Sequence, residues 1–235
     1  MKELLHSFSG CSAVFFPVRR LKDGGTCEFA TERCLRECAA FKNATEGNKI
    51  PYDEKVRVYK QITEGQIFEV CNSIIKQLSK CKPPRLLYWF ACGDCPKKHE
   101  DRIVKIIKYM SECGVTQIGF TRNQSLWERV HKLGGVRFIL TVEDIKMIDE
   151  IYKAGFYAVP NYKTGQVRII RNTWVVKEPR WEYTCPASGW HTPTKNMATT
   201  YWHKDTLKNG VDGEANCSEC YNGRKGCFSQ EGVIP

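Results

Sequence analysis

The chain has 235 residues, 42% hydrophobic and 26% charged, with 36 basic against 26 acidic side chains and 13 cysteines. This composition excludes a disordered chain, a collagen-like repeat and a disulfide-stapled miniprotein, and suits one domain with a sizeable core, or one domain plus a small appendage. No run of about 18 apolar residues occurs, so no membrane helix and no membrane partner are expected.

The first ten residues, MKELLHSFSG, lack the apolar stretch of a secretion signal, and the expectation is a cytoplasmic protein. Thiols stay reduced there, and 13 cysteines exceed what packing alone requires, so metal is the leading explanation. The net charge of +10 suits an anionic partner such as nucleic acid, a nucleotide or an acidic peptide. The basic residues are nevertheless dispersed, which equally describes a solvated surface.

The first predicted strand covers residues 11–18 (CSAVFFPV), an apolar run rich in β-formers. A loop with Asp23, Gly24 and Gly25 as its breaker follows, and Cys27, Cys34 and Cys38 then arrive in close succession. From Asp53, a plausible cap, apolar residues recur at helical spacing to about Lys80, with Gly65 as an interruption. Residues 85–91 (RLLYWFA) read as a buried strand that enters the turn Cys92, Gly93, Asp94, Cys95, Pro96.

A helix to about Cys113 follows, then a strand over residues 116–121, a helix over 125–133 closed by Gly134 and Gly135, and a strand over 136–142. A helix over residues 144–154, a fifth strand over 156–159 and a sixth over 166–171 complete the regular part. Alternating short strands and helices indicate an α/β fold with parallel strands. The span is too short for a closed eight-fold barrel, so a partial, open (βα) barrel of about five or six parallel strands is expected, with a doubly wound sheet as the competitor. Either architecture puts functional groups beyond the carboxyl ends of the strands.

After Arg171 the rhythm fails, and the expected division is a barrel over residues 1–171 and a small irregular module over 172–235. Cys185, Cys217, Cys220 and Cys227 would staple that module around a metal. Four thiols suffice for a zinc ribbon or a second cubane, and spacing alone does not separate the two.

The triad Cys27, Cys34, Cys38 has the spacing C-x6-C-x3-C on the loop leaving the first strand. Three thiolates can hold a [4Fe–4S] cluster with one iron open to a ligand. They can also close a zinc site with Cys11, Cys92 or Cys95 as the fourth ligand. Gly93 at a strand end permits close approach of a ligand, and Asp94 beside it can hold an ammonium group; the plainer reading is a turn that caps the next helix. Thr121 and Arg122 end the next strand on the same rim, where an arginine can pair with a carboxylate or phosphate, or can simply face solvent. Cys92 and Cys95 have redox-pair spacing without a thioredoxin-like surround. Cys71, Cys81 and Cys113 read as packing thiols.

The stretch TCEFATERCLREC over residues 26–38, the Cys92-Gly93-Asp94 turn, the Phe120-Thr121-Arg122 strand end and the late cysteines resemble, in order and spacing, the phage gene-product-eighty-eight family. That family is in turn similar to radical S-adenosylmethionine (SAM) enzymes, which use a partial (βα)6 barrel. The resemblance implies that Cys27, Cys34 and Cys38 hold a [4Fe–4S] cluster, and that Gly93 and Asp94 take the place of the turn contacting the SAM amino group. The late cysteines would hold a second, auxiliary cluster, and a flavodoxin or ferredoxin would donate electrons. The triad is wider than the family's usual C-x3-C-x2-C, and the turn carries Asp in place of Glu. Two other functions compete: a [4Fe–4S] sulfur-transfer enzyme without SAM, and a zinc-stabilised nucleic-acid-binding protein whose late tryptophans stack on bases.

Overall fold

The computed structural model describes residues 2–8, 11–38, 50–81, 85–151, 153–161, 166–172 and 181–184. The chain divides into two compact units, 1–140 and 141–235. The division falls ahead of the expected boundary at 171/172. Residues 185–235, which carry Cys185, Cys217, Cys220 and Cys227, lie outside the described residues.

The first unit is an α/β sheet whose strands follow chain order. A short edge strand, β1 (His6–Phe8), pairs antiparallel with β2 (Cys11–Phe15). From β2 onward the pairing is parallel, through β3 (Leu86–Cys92), β4 (Thr116–Thr121) and β5 (Val136–Thr141). This order never reverses, so the switch point of a doubly wound sheet does not occur within the unit's described residues.

β2 ends at Phe15, three residues before the predicted limit; the structure puts Pro17, which has no N–H for a ladder, just beyond it. β3 is apolar and buried at six of its seven positions, as expected of a strand covered on both faces. Trp89 Nε1 donates to Gln117 Oε1 at 2.8 Å, and Gln117 Nε2 donates to the Ile107 carbonyl at 2.9 Å. This buried amide ties β3, β4 and a helix together without leaving a polar atom unpaired.

The helices pack by the periodicity of their apolar residues. The predicted long helix is two: α2 (Tyr52–Glu64) and α3 (Ile67–Ser79), separated at Gly65, after a short α1 (Glu32–Arg36). α2 carries Asp53 and Glu54 in its first turn, where they complement the helix dipole, and Glu54 pairs with Arg57 one turn on. Its inner stripe is Lys55, Val58, Ile62 and Thr63, whereas α3 buries Val70, Cys71, Ile74 and Leu78. α4 (Glu100–Glu112) buries Ile103, Ile107 and Met110, and α5 (Gln124–Val130) is capped by the Asn123 side chain, which accepts from Leu126 N at 3.0 Å.

The second unit holds α6 (Lys146–Ile151) and the strands β6 (Gly155–Asn161), β7 (Gln166–Asn172) and β8 (Trp181–Thr184). These strands pair antiparallel, which corrects the expectation that residues 166–171 extend the parallel set. The physical reason is the connection: residues 162–165 are far too few for a crossover, which needs about a dozen residues or more. Tyr157 and Ile169 are buried, and the Tyr157 hydroxyl donates to the Lys153 carbonyl at 2.6 Å. Among the described residues no helix is long and apolar enough to cross a membrane.

Candidate metal centre at the strand ends

The loop after β2 is closed by its own backbone. Thr26 N donates to the Pro17 carbonyl and Cys27 N to the Arg19 carbonyl, each at 2.9 Å. Arg19 has φ 139, a conformation that non-glycine residues rarely hold, so the acceptor that fixes Cys27 is itself strained. Cys34 lies on α1, where the Thr31 hydroxyl accepts from its N–H at 3.0 Å, and Cys38 follows that helix.

Thr26 connects this loop to the end of β3. Its hydroxyl donates to the Pro17 carbonyl at 2.9 Å and accepts from Asp94 N at 3.1 Å. Asp94 connects β3 to β4. Its Oδ1 accepts from the Thr121 hydroxyl at 2.6 Å and from Cys95 N at 2.7 Å, while Oδ2 accepts from Arg122 N at 2.8 Å. The triad loop, the Gly93-Asp94 turn and the Thr121-Arg122 strand end, far apart in sequence, therefore meet on one rim.

Asp94 is only 6% exposed, and burial pushes its carboxyl above the ordinary value, against the opposing pull of its hydrogen bonds from Thr121, Arg122 and Cys95. A carboxylate has about four lone-pair sites, and protein donors fill three of Asp94's. Asp94 is thus first a brace for the rim. Gly93 has φ +74, and a Cβ there would stand 2.6 Å from Phe16 Cβ and 2.7 Å from Thr26 Oγ1. The space on the Cβ side of Gly93 is filled by protein, so packing alone excludes a side chain there.

The bracing extends outward through residues that the sequence did not single out. Asn123 N donates to Thr121 Oγ1 at 3.0 Å, and its Nδ2 donates to Glu100 Oε2 at 3.1 Å. Glu100, 3% exposed, also accepts from Ser125 Oγ at 2.6 Å and pairs with Arg129 at 2.9 Å. Burial, the largest single influence, pushes its carboxyl up, but the bonds from Ser125, Arg129 and Asn123 together outweigh it and hold the carboxyl below its usual value. Glu28, one residue beyond Cys27, accepts from Lys97 N at 2.7 Å and joins the triad loop to the start of α4.

The thiols share this environment. Cys27 lies within electrostatic reach of Cys34, Cys38 and Asp94, and Cys92 within reach of Cys38 and Lys55. Burial pushes the Cys27 thiol well up, Cys92 up to about 11 and Cys11 up to about 12. Cys95 is likewise raised by burial. A reactive redox pair needs a lowered thiol, so Cys92 and Cys95 lack the electrostatics of one. Cys92 reaches the site through a distortion of β3. Phe90 has φ 55, and the register against β2 shifts from Ala13↔Tyr88 to Phe15↔Cys92, which adds two residues on the β3 side. Such a bulge re-aims the residues after it, and a left-handed non-glycine residue costs roughly 1–3 kcal/mol.

Cys27, Cys34 and Cys38 supply three thiols in the segment that follows β2, with Cys34 and Cys38 each in electrostatic reach of Cys27. Their side chains are not gathered around one point, because no group of three or more His, Cys, Asp or Glu among the described residues stands ready to hold an ion. The second predicted set, Cys185, Cys217, Cys220 and Cys227, lies outside the described residues.

No protein-family model, curated protein or solved structure matches this chain.

Proposed function

We propose that the chain is an iron–sulfur enzyme of radical SAM type acting on an anionic substrate such as a nucleotide, a nucleic acid or an acidic peptide. What supports this most is the hydrogen-bonded chain Thr26–Asp94–Thr121, which joins the cysteine loop, the Gly93-Asp94 turn and the Arg122 strand end on one rim. Parallel strands in unbroken chain order also suit a partial barrel, since crossovers of the usual right-handed sense then leave the helices on one face.

Cys27, Cys34 and Cys38 would hold a [4Fe–4S] cluster, and Cys185, Cys217, Cys220 and Cys227 a second one. When bound, such a cluster supplies the electron that breaks the sulfonium C–S bond of SAM, giving methionine and a 5′-deoxyadenosyl radical. The electron would come from a flavodoxin or ferredoxin. Gly93 and Asp94 would border the amino end of SAM, and Thr121 and Arg122 its carboxylate. Asp94 keeps that edge in register by holding Arg122 N and Cys95 N at the same carboxylate.

The test is anaerobic purification with iron, sulfide and zinc counts and a visible spectrum, repeated after Cys27, Cys34 and Cys38 are all changed to Ala. About eight irons falling to about four, or about four falling to none, places a cubane on the triad. Formation of 5′-deoxyadenosine from SAM under a strong reductant then completes the assignment. Colourless protein with zinc alone overturns it in favour of a zinc-stabilised binding protein. Brown protein that neither binds nor cleaves SAM leaves a sulfur-transfer enzyme.

A further inference from the structure

The outer face of α4 carries cations that the fold itself does not use. Lys98, in the 3-10 turn Lys97–His99 that leads into α4, and Lys105 and Lys108 on the helix are all exposed. Their spacing sets them on one side of the helix, over about 15 Å. Among the described residues none of the three forms an ion pair. The acids at the start of α4 are drawn away from them: Glu100 is buried, and Asp101 pairs with Arg129 at 2.7 Å. Glu69 on α3 and Glu112 in the last turn of α4 are the acids left beside this face.

An exposed aromatic pair adjoins the lysines. α3 packs against α4, and Phe68 in its first turn meets Tyr109 edge to face, with ring centroids 6.2 Å apart and planes at 82°. Phe68 is 62% exposed, more than any other large apolar side chain among the described residues, so this contact holds the ring without covering it. Tyr109 lies one turn after Lys105 and next to Lys108, which puts rings and cations on one surface. Arg102, on the same flank, donates to the Ile62 carbonyl at 2.8 Å and to the Gly65 carbonyl, and so fixes α4 against the end of α2. The surface is formed before any partner arrives.

We propose that this face of α3 and α4 binds single-stranded nucleic acid, with Lys98, Lys105 and Lys108 on its phosphates and Phe68, braced by Tyr109, stacked on a base. Phosphates answer the lysines, and an unpaired base offers a flat face to the ring. An acidic peptide would answer the charge but not the exposed ring, and a duplex keeps its base faces covered. The site uses no metal. It goes beyond the iron–sulfur reading and narrows the anionic partner named there to a single strand.

The test is fluorescence anisotropy of the full chain with labelled oligo(dT) and oligo(rU) of about 12 nucleotides, over a series of salt concentrations. Wild type should bind, with log K falling linearly as log salt rises. Each phosphate contact to a single strand contributes about 0.7 to that slope, so Lys98→Gln, Lys105→Gln and Lys108→Gln together should flatten it by about 2. Phe68→Leu keeps an apolar side chain without a π face, and should weaken binding about 5- to 150-fold at an unchanged slope. Phe68→Trp should bind at least as tightly as wild type. Lys22→Gln, Lys60→Gln and Lys132→Gln together remove the same charge from exposed positions outside α3 and α4, and should leave the slope nearly intact.

Failure of wild type to bind overturns the proposal. So does a slope that flattens as much in the dispersed lysine variant as in the α4 variant, or wild-type affinity in Phe68→Leu. Duplex DNA or poly-glutamate competing as well as the single strand also overturns it, in favour of a general anion or acidic-protein surface. The readout needs no metal, so its failure leaves the iron–sulfur reading standing, and zinc found in place of iron leaves the binding result standing.

Discussion

Gly93→Ala separates two meanings of the Gly93-Asp94 turn. If the glycine keeps a path open for a ligand, adding a methyl group should cost binding and little stability. If it exists because Phe16 and Thr26 occupy the space, stability should suffer first. The structure gives two contributions. The φ of +74 is unfavourable for alanine by roughly 1–2 kcal/mol. The new Cβ would also stand 2.6 Å from Phe16 Cβ, 2.8 Å from the Phe16 carbonyl oxygen and 2.7 Å from Thr26 Oγ1. Two of these neighbours belong to the backbone or lie next to it, so the chain itself must shift, at a cost of about 1–3 kcal/mol. The expected loss is about 2–5 kcal/mol, a large part of the ~5–15 kcal/mol that stabilises a typical domain.

Gly114 provides the control. It has the same φ of +74, and an added Cβ would meet nothing within 4 Å. Gly114→Ala should therefore lose only the roughly 1–2 kcal/mol of backbone strain. Urea unfolding followed by far-UV circular dichroism, with equal m-values required across the set, measures both. Equal losses in the two variants would refute the packing argument and return Gly93 to the role of a ligand passage.

Three further outcomes test other parts of the rim and core. The Asp94 carboxyl is raised by burial, so its contribution is fully present below the ordinary value of 3.8 and is lost as the pH rises through the higher folded value. Wild type should therefore gain stability relative to Asp94→Asn as the pH is lowered from 7 toward 4, and a flat or opposite difference in urea titrations would remove the burial argument. Trp89→Phe strands the buried Gln117 Oε1, whose donor at 2.8 Å disappears, and should cost about 1–3 kcal/mol; a near-neutral result would mean that water or a repositioned amide takes over. Arg19→Gly relieves a backbone strained by roughly 1–3 kcal/mol at the expense of about 0.5–1 kcal/mol of glycine entropy, so thermal unfolding should move up, and destabilisation by more than about 1 kcal/mol would show the strain to be absent.

The features legible in the sequence are those that follow from periodicity. The run LLYWFA announced β3 because a strand buried on both faces needs no polar alternation. Gly65 marked the break between α2 and α3 because both flanking segments keep their own apolar stripe. The positions of Gly93, Asp94, Thr121 and Arg122 at or just beyond strand ends followed from the strand pattern alone.

Pairwise contacts were not legible. Nothing local distinguishes Gln117 as the partner of Trp89, or Thr26 as the link between the triad loop and Asp94. β1 and α1, at three and five residues, are too short for any pattern to emerge. The antiparallel pairing of β7 with β6 is not carried by strand content, only by the shortness of the connection between them. Lys55 did leave a signal: it occupies the helical stripe of Val58 and Ile62, three and seven residues on, where a solvated lysine does not belong. The bulge at Phe90 has no counterpart in the local sequence, since its neighbours read as an ordinary strand.

If the triad binds metal, the chain must move on one side of the site more than on the other. Cys27 is held by its N–H to Arg19 and by Thr26, whose hydroxyl is part of the buried Asp94 node. Cys34 and Cys38 belong to the five-residue α1 and its end, whose attachments include the Thr31 cap and the more exposed pairs Arg20–Glu32 and Arg36–Glu37. A cap of this kind contributes about 0.5–2 kcal/mol and an exposed ion pair about 0–1 kcal/mol. Structural metal binding by thiolates can supply about 10 kcal/mol or more at neutral pH. That is ample to reorganise α1, whereas breaking the buried Asp94 node would strand several polar groups at once. Hydrogen exchange of the metal-free and metal-loaded protein should then show protection rising across residues 31–38 and unchanged across 86–92. Protection changing instead in β3 would mean that the strand end yields, and that Asp94 is not the fixed point of the site.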